Sequence, residues 1–105
     1  MEKVVVVNGK RTPFGNFGGS LKDFTCVELG AMAVKKATEN IVDPKDIDMV
    51  IMGNNMPGAG LAPVRQVVLA AGWPKEINCV QVDRACCSSM TAIGLGYERI
   101  MAGRA

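Results

Sequence analysis

The chain contains no histidine among its 105 residues. Histidine is the commonest general base and the commonest metal ligand, so a nucleophile here must be activated by something other than an imidazole of this chain. Aromatic residues are also scarce, with one Trp, one Tyr and three Phe. The core is therefore expected to consist mainly of Val, Ile, Leu, Met and Ala side chains.

Long apolar runs and blocks of one charge are also missing. No run approaches the roughly 20 apolar residues that a membrane helix needs, and the run at 4–7 is too short for a signal peptide. Net charge is +2, from 12 basic and 10 acidic residues without a basic stripe, so neither nucleic acid nor a membrane is expected as a partner. None of the four cysteines is spaced as C-x-x-C, which predicts free thiols in a cytoplasmic protein.

The pattern of apolar runs predicts a single α/β domain. Buried strands are expected at 4–7, 49–52 and 79–82, and helices at about 26–40, 64–71 and 86–102. Residues 8–20 and 53–60 are expected to be glycine-rich loops. The order β-α-β-α-β-α has crossovers long enough for parallel pairing, so we expect a layered α/β fold with a mostly parallel sheet.

Local signals mark the ends and faces of the helices. Thr25 and Glu28 form a capping-box pattern for the first helix, and Gly30 within that helix predicts close packing on a neighbour. Pro63 suits the first turn of the second helix. The positions expected on the inner face of the first helix are Val27, Ala31, Val34 and Ala37. The apolar residues that share one helical spacing in the third helix are Met90, Ile93, Tyr97, Ile100 and Met101.

Cys86 is the candidate nucleophile, because it lies where the third strand gives way to the third helix. In parallel α/β folds, chemistry collects beyond the carboxyl ends of the strands. The helix dipole favours a thiolate there, and unpaired N–H groups can stabilise an oxyanion. The alternative is that Cys86 only packs, as most buried cysteines do and as we expect of Cys26 and Cys79. No metal site is expected from Cys86 and Cys87, because zinc needs four suitably spaced ligands.

The sequence around Cys86 resembles the active-site segment of the thiolase family. Residues 82–93 read V-D-R-A-C-C-S-S-M-T-A-I, and the family reads approximately V-N-K/R-x-C-x-S-G-L/M-x-A-V/I. Residues 11–15 and 18–21 are similar to the family's opening R-T-P-x-G…G-x-L, and 63–66 and 71–74 to its x-x-R-Q and A-G-x-P. Further matches lie at Leu29, Gly30, 48–50, Gly53, Gly60, Ile100 and Gly103. The resemblance spans essentially the whole chain.

The resemblance implies a three-layer α/β enzyme that transfers acyl groups between acyl-CoA and CoA or acetyl-CoA. Cys86 aligns with the residue that carries the acyl group as a thioester, and its backbone N–H with an oxyanion-hole donor. Cys87 aligns with a variable position, and Ser88 and Arg65 with structural ones. CoA thioesters are the implied substrates, without a tightly bound cofactor, and the implied assembly is a homodimer or homotetramer.

Two departures from the family pattern flank Cys86. Asp83 stands where the family has Asn, and Ser89 where it has Gly. A negative charge three residues before the thiol opposes thiolate formation, unless Arg84 or Arg65 pairs with it. Ser89 adds bulk at a tightly packed position.

The chain is short for a thiolase, whose activating histidine and second catalytic cysteine lie further downstream. We therefore expect residues 1–105 to be the truncated, nucleophile-bearing part of a thiolase N-domain. We expect this part to be inactive by itself. Two alternatives stay open. One is a non-catalytic remnant that assembles through its sheet edges. The other is a related enzyme, such as a ketoacyl synthase or a hydroxymethylglutaryl-CoA synthase, although the opening R-T-P-x-G motif favours a thiolase.

Overall fold

Two parallel strands and three helices make up the computed structural model, which describes residues 3–55, 58 and 60–105. The elements are helix α1 (Cys26–Thr38), a short 3-10 turn (Pro44–Asp46), strand β1 (Met49–Gly53), helix α2 (Pro63–Ala70), strand β2 (Asn78–Val82) and helix α3 (Ser88–Met101). Met49 lies opposite Asn78 and Gly53 opposite Val82 in the sheet. The predicted α/β class with parallel pairing is confirmed. The predicted loop over 53–60 lies partly outside the described residues, at 56, 57 and 59.

The helices begin where the local signals place them. The Thr25 hydroxyl accepts a hydrogen bond from the Glu28 backbone N–H at 3.1 Å, which caps α1 as predicted. Pro63 opens α2, where its missing N–H leaves no helical hydrogen bond unmade. A Cβ at Gly30 would lie 2.8 Å from Val67 Cγ2, so α1 approaches α2 closely at this glycine. The predicted close packing at Gly30 is confirmed.

The core lies between the sheet and α2, and its side chains are mainly aliphatic, as expected. Its buried residues are Val50, Val64, Val68, Trp73 and Ile77. α2 and α3 each contact both strands, and α1 contacts α2. This packing fixes the carboxyl ends of β1 and β2 relative to the first turn of α3.

The valine run at 4–7 does not form the strand that we predicted. Val6 and Val7 are 87% and 72% exposed, and no secondary structure is assigned there. A strand buried on both faces needs neighbouring strands and covering helices. Within the described residues β1 and β2 pair only with each other, so the run has no partner. The prediction of a strand at 4–7 is wrong for this structure.

Helix α3 presents small residues to the sheet, and three of its large apolar residues are exposed to solvent. Ser88 and Ala92 are buried, whereas Met90, Ile93 and Tyr97 are 79%, 70% and 51% exposed. Small side chains allow the helix to lie close to β1, and the large ones project from the opposite side. A helix that is apolar on both sides is typical of one buried between two layers. No helix in the described part of the chain is long and apolar enough to cross a membrane.

Candidate active site

A tight turn over residues 83–87 joins β2 to α3 and carries Cys86. Ala85 in this turn has a φ of 50°, a left-handed conformation that is uncommon for a residue with a Cβ. The N–H and the carbonyl of Ala85 are both hydrogen-bonded to side chains. The Asp83 Oδ1 accepts from the Ala85 N–H at 3.1 Å, and the Ser88 hydroxyl donates to the Ala85 carbonyl at 2.7 Å. The left-handed turn is therefore fixed from both sides.

Cys86 is exposed and lies one residue before the N-cap of α3. The helix begins at Ser88, two residues later than predicted. The physical reason is Ser88, whose hydroxyl also accepts from the Arg84 N–H at 2.9 Å and so closes a separate turn ahead of the helix. This arrangement leaves the Cys86 thiol accessible on the surface, just outside the helix.

The N–H groups of the turn are nearly all engaged, contrary to the expectation that several lack partners. Those of Cys87 and Ser88 donate to the carbonyls of Arg84 and Ala85, at 3.0 and 3.2 Å. The Arg84 and Ala85 N–H groups donate to side chains, as described above. Among the described residues, the Cys86 N–H makes no hydrogen bond. One N–H group, adjacent to the thiol, is thus available to an oxyanion.

Asp83 is held by an amide rather than by an arginine. The Asn55 Nδ2 donates to the Asp83 Oδ1 at 2.9 Å. Hydrogen bonds from the Asn55 side chain and then from the Ala85 backbone hold the pKa of the Asp83 carboxyl below its ordinary value. Both donors favour the ionised form, so Asp83 is an anion at neutral pH.

Neither of the two arginines that could offset the charge of Asp83 pairs with it. Arg84 Nη1 donates to the Thr91 hydroxyl at 3.3 Å, and Arg65 Nη1 donates to the Ile77 carbonyl at 3.2 Å. The Arg65 contact ties α2 to the start of β2, which agrees with a structural role. The one ion pair among the described residues joins Lys36 and Glu39 on the surface of α1.

Replacing Asn55 by alanine is expected to raise the pKa of Asp83 toward its ordinary value of about 3.9, because the largest cause of the lowering is removed. The folded pKa lies below the unfolded one, so the stabilisation of the turn is present above pH of about 3.9 and is lost as the pH falls through the folded pKa. A carbon-13 NMR titration of the Asp83 carboxyl measures the shift.

The matched control for that titration is Asn54→Ala. The Asn54 backbone N–H donates to the Val82 carbonyl at 3.0 Å, and the alanine variant keeps that bond. We expect the Asp83 titration to be the same in this variant as in the unaltered chain. Equal Asp83 pKa values in the Asn55→Ala variant and the unaltered chain would contradict the assigned cause.

Gly53 places the end of β1 directly against the start of α3. A Cβ built there would lie 2.6 Å from Ser88 Cβ and 2.8 Å from the Ser89 backbone nitrogen. Sequence reasoning assigned Gly53 to a flexible loop and gave Asn55 no role. A glycine ending a predicted strand was the available signal for a close backbone approach. Nothing local in the sequence indicated the contact between Asn55 and Asp83.

Cys26 and Cys79 lie on other elements than Cys86. All four cysteines are free, as predicted. Cys79 is half-buried against the core, whereas Cys26 is exposed at the first position of α1, so its predicted packing role is wrong. A cavity of about 610 Å³ is bounded by the end of α1 and Trp73, and Cys86 is not among the residues that line it. The described residues contain no group of three or more His, Cys, Asp or Glu that could hold a metal ion.

Comparisons with known proteins match nearly the whole chain. The family model described as "Thiolase, N-terminal domain" matches residues 4–105. An acetyl-CoA acetyltransferase of Schizosaccharomyces pombe is 42% identical over 105 residues, covering 98% of this chain and 27% of that protein. A cytosolic acetyl-CoA acetyltransferase of Gibberella zeae is 43% identical over 102 residues, covering 95% and 26%.

A solved structure has the same fold. The crystal structure of human mitochondrial 3-ketoacyl-CoA thiolase superposes with a TM-score of 0.82 at 40% identity, covering 90% of this chain and 25% of that one. The chain therefore spans about a quarter of the length of the relatives that it matches.

Proposed function

Because the chain belongs to the thiolase family, through the N-terminal domain that its residues 4–105 match, we propose that it carries the nucleophile of an acyl-CoA C-acyltransferase. Residues 1–105 are then the front part of a thiolase N-domain within a longer polypeptide, called the complete protein below. Cys86 is the residue that accepts the acyl group. The observation that carries this assignment is the exposed thiol of Cys86 beside its own unengaged N–H group, at the position that resembles the family nucleophile.

The proposed first step is acylation of Cys86. The thiolate sulfur attacks the thioester carbon of an acyl-CoA, and the carbonyl oxygen becomes an oxyanion near the Cys86 N–H. Collapse of this intermediate breaks the bond to the CoA sulfur, which leaves as CoA after gaining a proton. The chain has no histidine, and we assign the group that takes the Cys86 proton and returns it to the rest of the complete protein, as the family resemblance implies.

The proposed second step transfers the acyl group from Cys86. In a Claisen condensation the acceptor is the carbanion of acetyl-CoA, formed when acetyl-CoA loses a proton to a base in the rest of the complete protein. In thiolysis the Cys86 sulfur instead attacks the 3-keto carbon of a 3-ketoacyl-CoA, and the bond between C2 and C3 breaks. Acetyl-CoA then leaves after its carbanion gains a proton, and the acyl group on Cys86 passes to the thiolate of CoA. CoA thioesters are thus substrates, and no tightly bound cofactor takes part. The names of the relatives favour this reaction over that of a ketoacyl synthase.

Assembly and location follow from the same proposal. We propose that the complete protein assembles as a homodimer or homotetramer, and that its remaining residues cover the exposed Val5, Val6 and Val7 and the open sheet edges. Four free cysteines fit a reducing compartment, and we propose the cytoplasm. For the isolated 105 residues we expect no turnover, because a base is missing. That chain alone would act only as a non-catalytic remnant.

The test is mass spectrometry of the complete protein after exposure to acetyl-CoA. We expect a gain of one acetyl group, and peptide fragmentation should place it on Cys86 rather than on the adjacent Cys87. The control is the same protein whose thiols have been blocked by iodoacetamide beforehand, in which no acetyl group should appear. An acetyl group on Cys87, or on a peptide without residues 86 and 87, would refute the assignment of the nucleophile.

A further inference from the structure

We propose that Asn55 and Asp83 form a positioning pair for Cys86, with Asn55 holding the carboxylate that keeps Ala85 in its left-handed conformation. This inference rests on the proposed function, because it assigns a role in the acylation of Cys86. Neither residue is placed in contact with the substrate. Both act through the backbone of the turn.

The strained residue is adjacent to the nucleophile. A residue with a Cβ stays in the left-handed region only where the surrounding contacts require it, and such residues cluster at functional sites. At Ala85 the contacts are the Asp83 carboxylate on its N–H and the Ser88 hydroxyl on its carbonyl. The conformation of Ala85 sets the direction in which the next residue, Cys86, leaves the turn.

The pair joins two segments that are distant in sequence. Gly53 and Val82 are opposite each other at the ends of β1 and β2, and the Asn54 N–H extends this pairing to the Val82 carbonyl at 3.0 Å. Asn55 therefore lies beside Asp83, which is 28 residues away in sequence, and the Asn55 Nδ2 donates to the Asp83 Oδ1 at 2.9 Å. The loop after β1 thus restrains the turn after β2.

A single oxygen atom of Asp83 accepts both hydrogen bonds. The Oδ1 accepts from Asn55 and from the Ala85 N–H, so movement of the carboxylate disturbs both contacts. Hydrogen bonds to an ionised acceptor are shorter and stronger than neutral ones. The substitution Asp83→Asn keeps an Oδ1 acceptor at this position and removes the negative charge. It therefore distinguishes the effect of the hydrogen-bond geometry from the effect of the charge.

The charged groups around this turn are few. Asp83 and Arg84 lie on the turn itself, and the Arg84 guanidinium is directed to Thr91 on α3. The described part of the loop after β1 contributes the neutral Asn54 and Asn55, and the first turn of α3 contributes the neutral Ser88. The removal of the Asp83 side chain therefore tests a contact, without exposing another charge that is paired with it.

The test compares rates of Cys86 acetylation by acetyl-CoA in variants of the complete protein. We expect Asp83→Ala and Asn55→Ala to slow acetylation by about 10- to 100-fold, because misplacement of a reacting group by about 1 Å has effects of this size. Asp83→Asn should restore the rate to within about threefold of the unaltered protein, because a neutral hydrogen bond is about half as strong as a charged one. Asn54→Ala is the matched control and should leave the rate unchanged.

The double variant and a second reagent make the result decisive. The effects of Asp83→Ala and Asn55→Ala on the acetylation rate should not be additive, because each substitution breaks the same hydrogen-bonded arrangement. Alkylation of Cys86 by iodoacetamide, which needs no aligned donor, should change less than acetylation does. A loss of both reactions that Asp83→Asn fails to rescue would mean an unfolded turn and overturn the positioning role.

Three further outcomes would overturn it. The first is acetylation of Cys86 in the Asp83→Ala variant at the rate of the unaltered protein. The second is acetylation in the Asp83→Asn variant that is as slow as in Asp83→Ala. The third is a double variant in which the two effects on the rate are additive. Absence of acetyl on Cys86 in the unaltered protein is a different result. It refutes the proposed function, and this inference with it, whereas the other outcomes leave the function standing.

Discussion

Replacement of Cys86 by alanine is expected to abolish acyl-enzyme formation and to lower kcat of the complete protein by about 10⁴-fold or more, as for other enzymes that lose a nucleophile. The physical reason is that the sulfur forms the covalent bond that divides the transfer into two steps. Cys86 is exposed and its side chain lies outside the core, so the substitution should leave the fold intact. The measurement is acetyl incorporation by mass spectrometry, together with steady-state thiolysis.

Cys87→Ala is the matched control, since it removes a thiol from the adjacent residue. Cys87 is exposed and makes no side-chain capping hydrogen bond to α3. The hydrogen bond from its backbone N–H to the Arg84 carbonyl survives the substitution. We expect acetylation and turnover to remain measurable in this variant. Acetylation that survives Cys86→Ala and disappears with Cys87→Ala would move the nucleophile to position 87.

Substitution of alanine for Gly53 is expected to destabilise the fold by about 2–3 kcal/mol, as overpacking of a filled site does. The added methyl group would lie 2.7 Å from the Ser88 carbonyl carbon and 2.8 Å from the Ser89 nitrogen. These are backbone atoms, so no side-chain rotation relieves the overlap. The start of α3 must move away from β1, and Cys86 must move with it.

The consequences of Gly53→Ala appear in two measurements. The midpoint of thermal unfolding should fall by roughly 10 °C for a domain of this size. Acetylation of Cys86 should also slow, because the turn that presents the thiol is displaced. Both effects have the same origin in the contact between Gly53 and Ser88.

Gly94→Ala is the control for the Gly53 variant, because it makes the same chemical change on α3. A Cβ at Gly94 meets no atom within 4 Å. Alanine is favoured over glycine inside a helix by about 1 kcal/mol, so the thermal midpoint should stay the same or rise. A Gly53→Ala variant as stable as Gly94→Ala would show that the contact at Ser88 is not tight in solution.

The sequence alone was sufficient for features that depend on nearby residues. The cap at Thr25, the helix opening at Pro63 and the strands at 49–52 and 79–82 follow from local hydrogen-bonding groups and apolar spacing, and the structure confirms them. The family was recognisable because its motifs are short, ordered and spread over the chain. The same motifs predicted Cys86 as the nucleophile, and this remains a prediction for the acetylation experiment.

Tertiary structure decided the features that depend on residues far apart in sequence. The valines at 4–7 have the composition of a buried strand, but a strand exists only where a partner supplies its hydrogen bonds. The register of β1 and β2 brings Asn55 to Asp83 and Gly53 to Ser88. The first contact leaves no local signal, and the glycine at the end of β1 indicates a close approach without identifying its partner. The hydrogen bonds of the Ser88 hydroxyl place the start of α3 at residue 88, so Cys86 lies before the helix rather than in its first turn. Hydrogen bonds within residues 83–88 fix the turn that carries the thiol, whereas the packing of two strands and a helix decides where that turn lies.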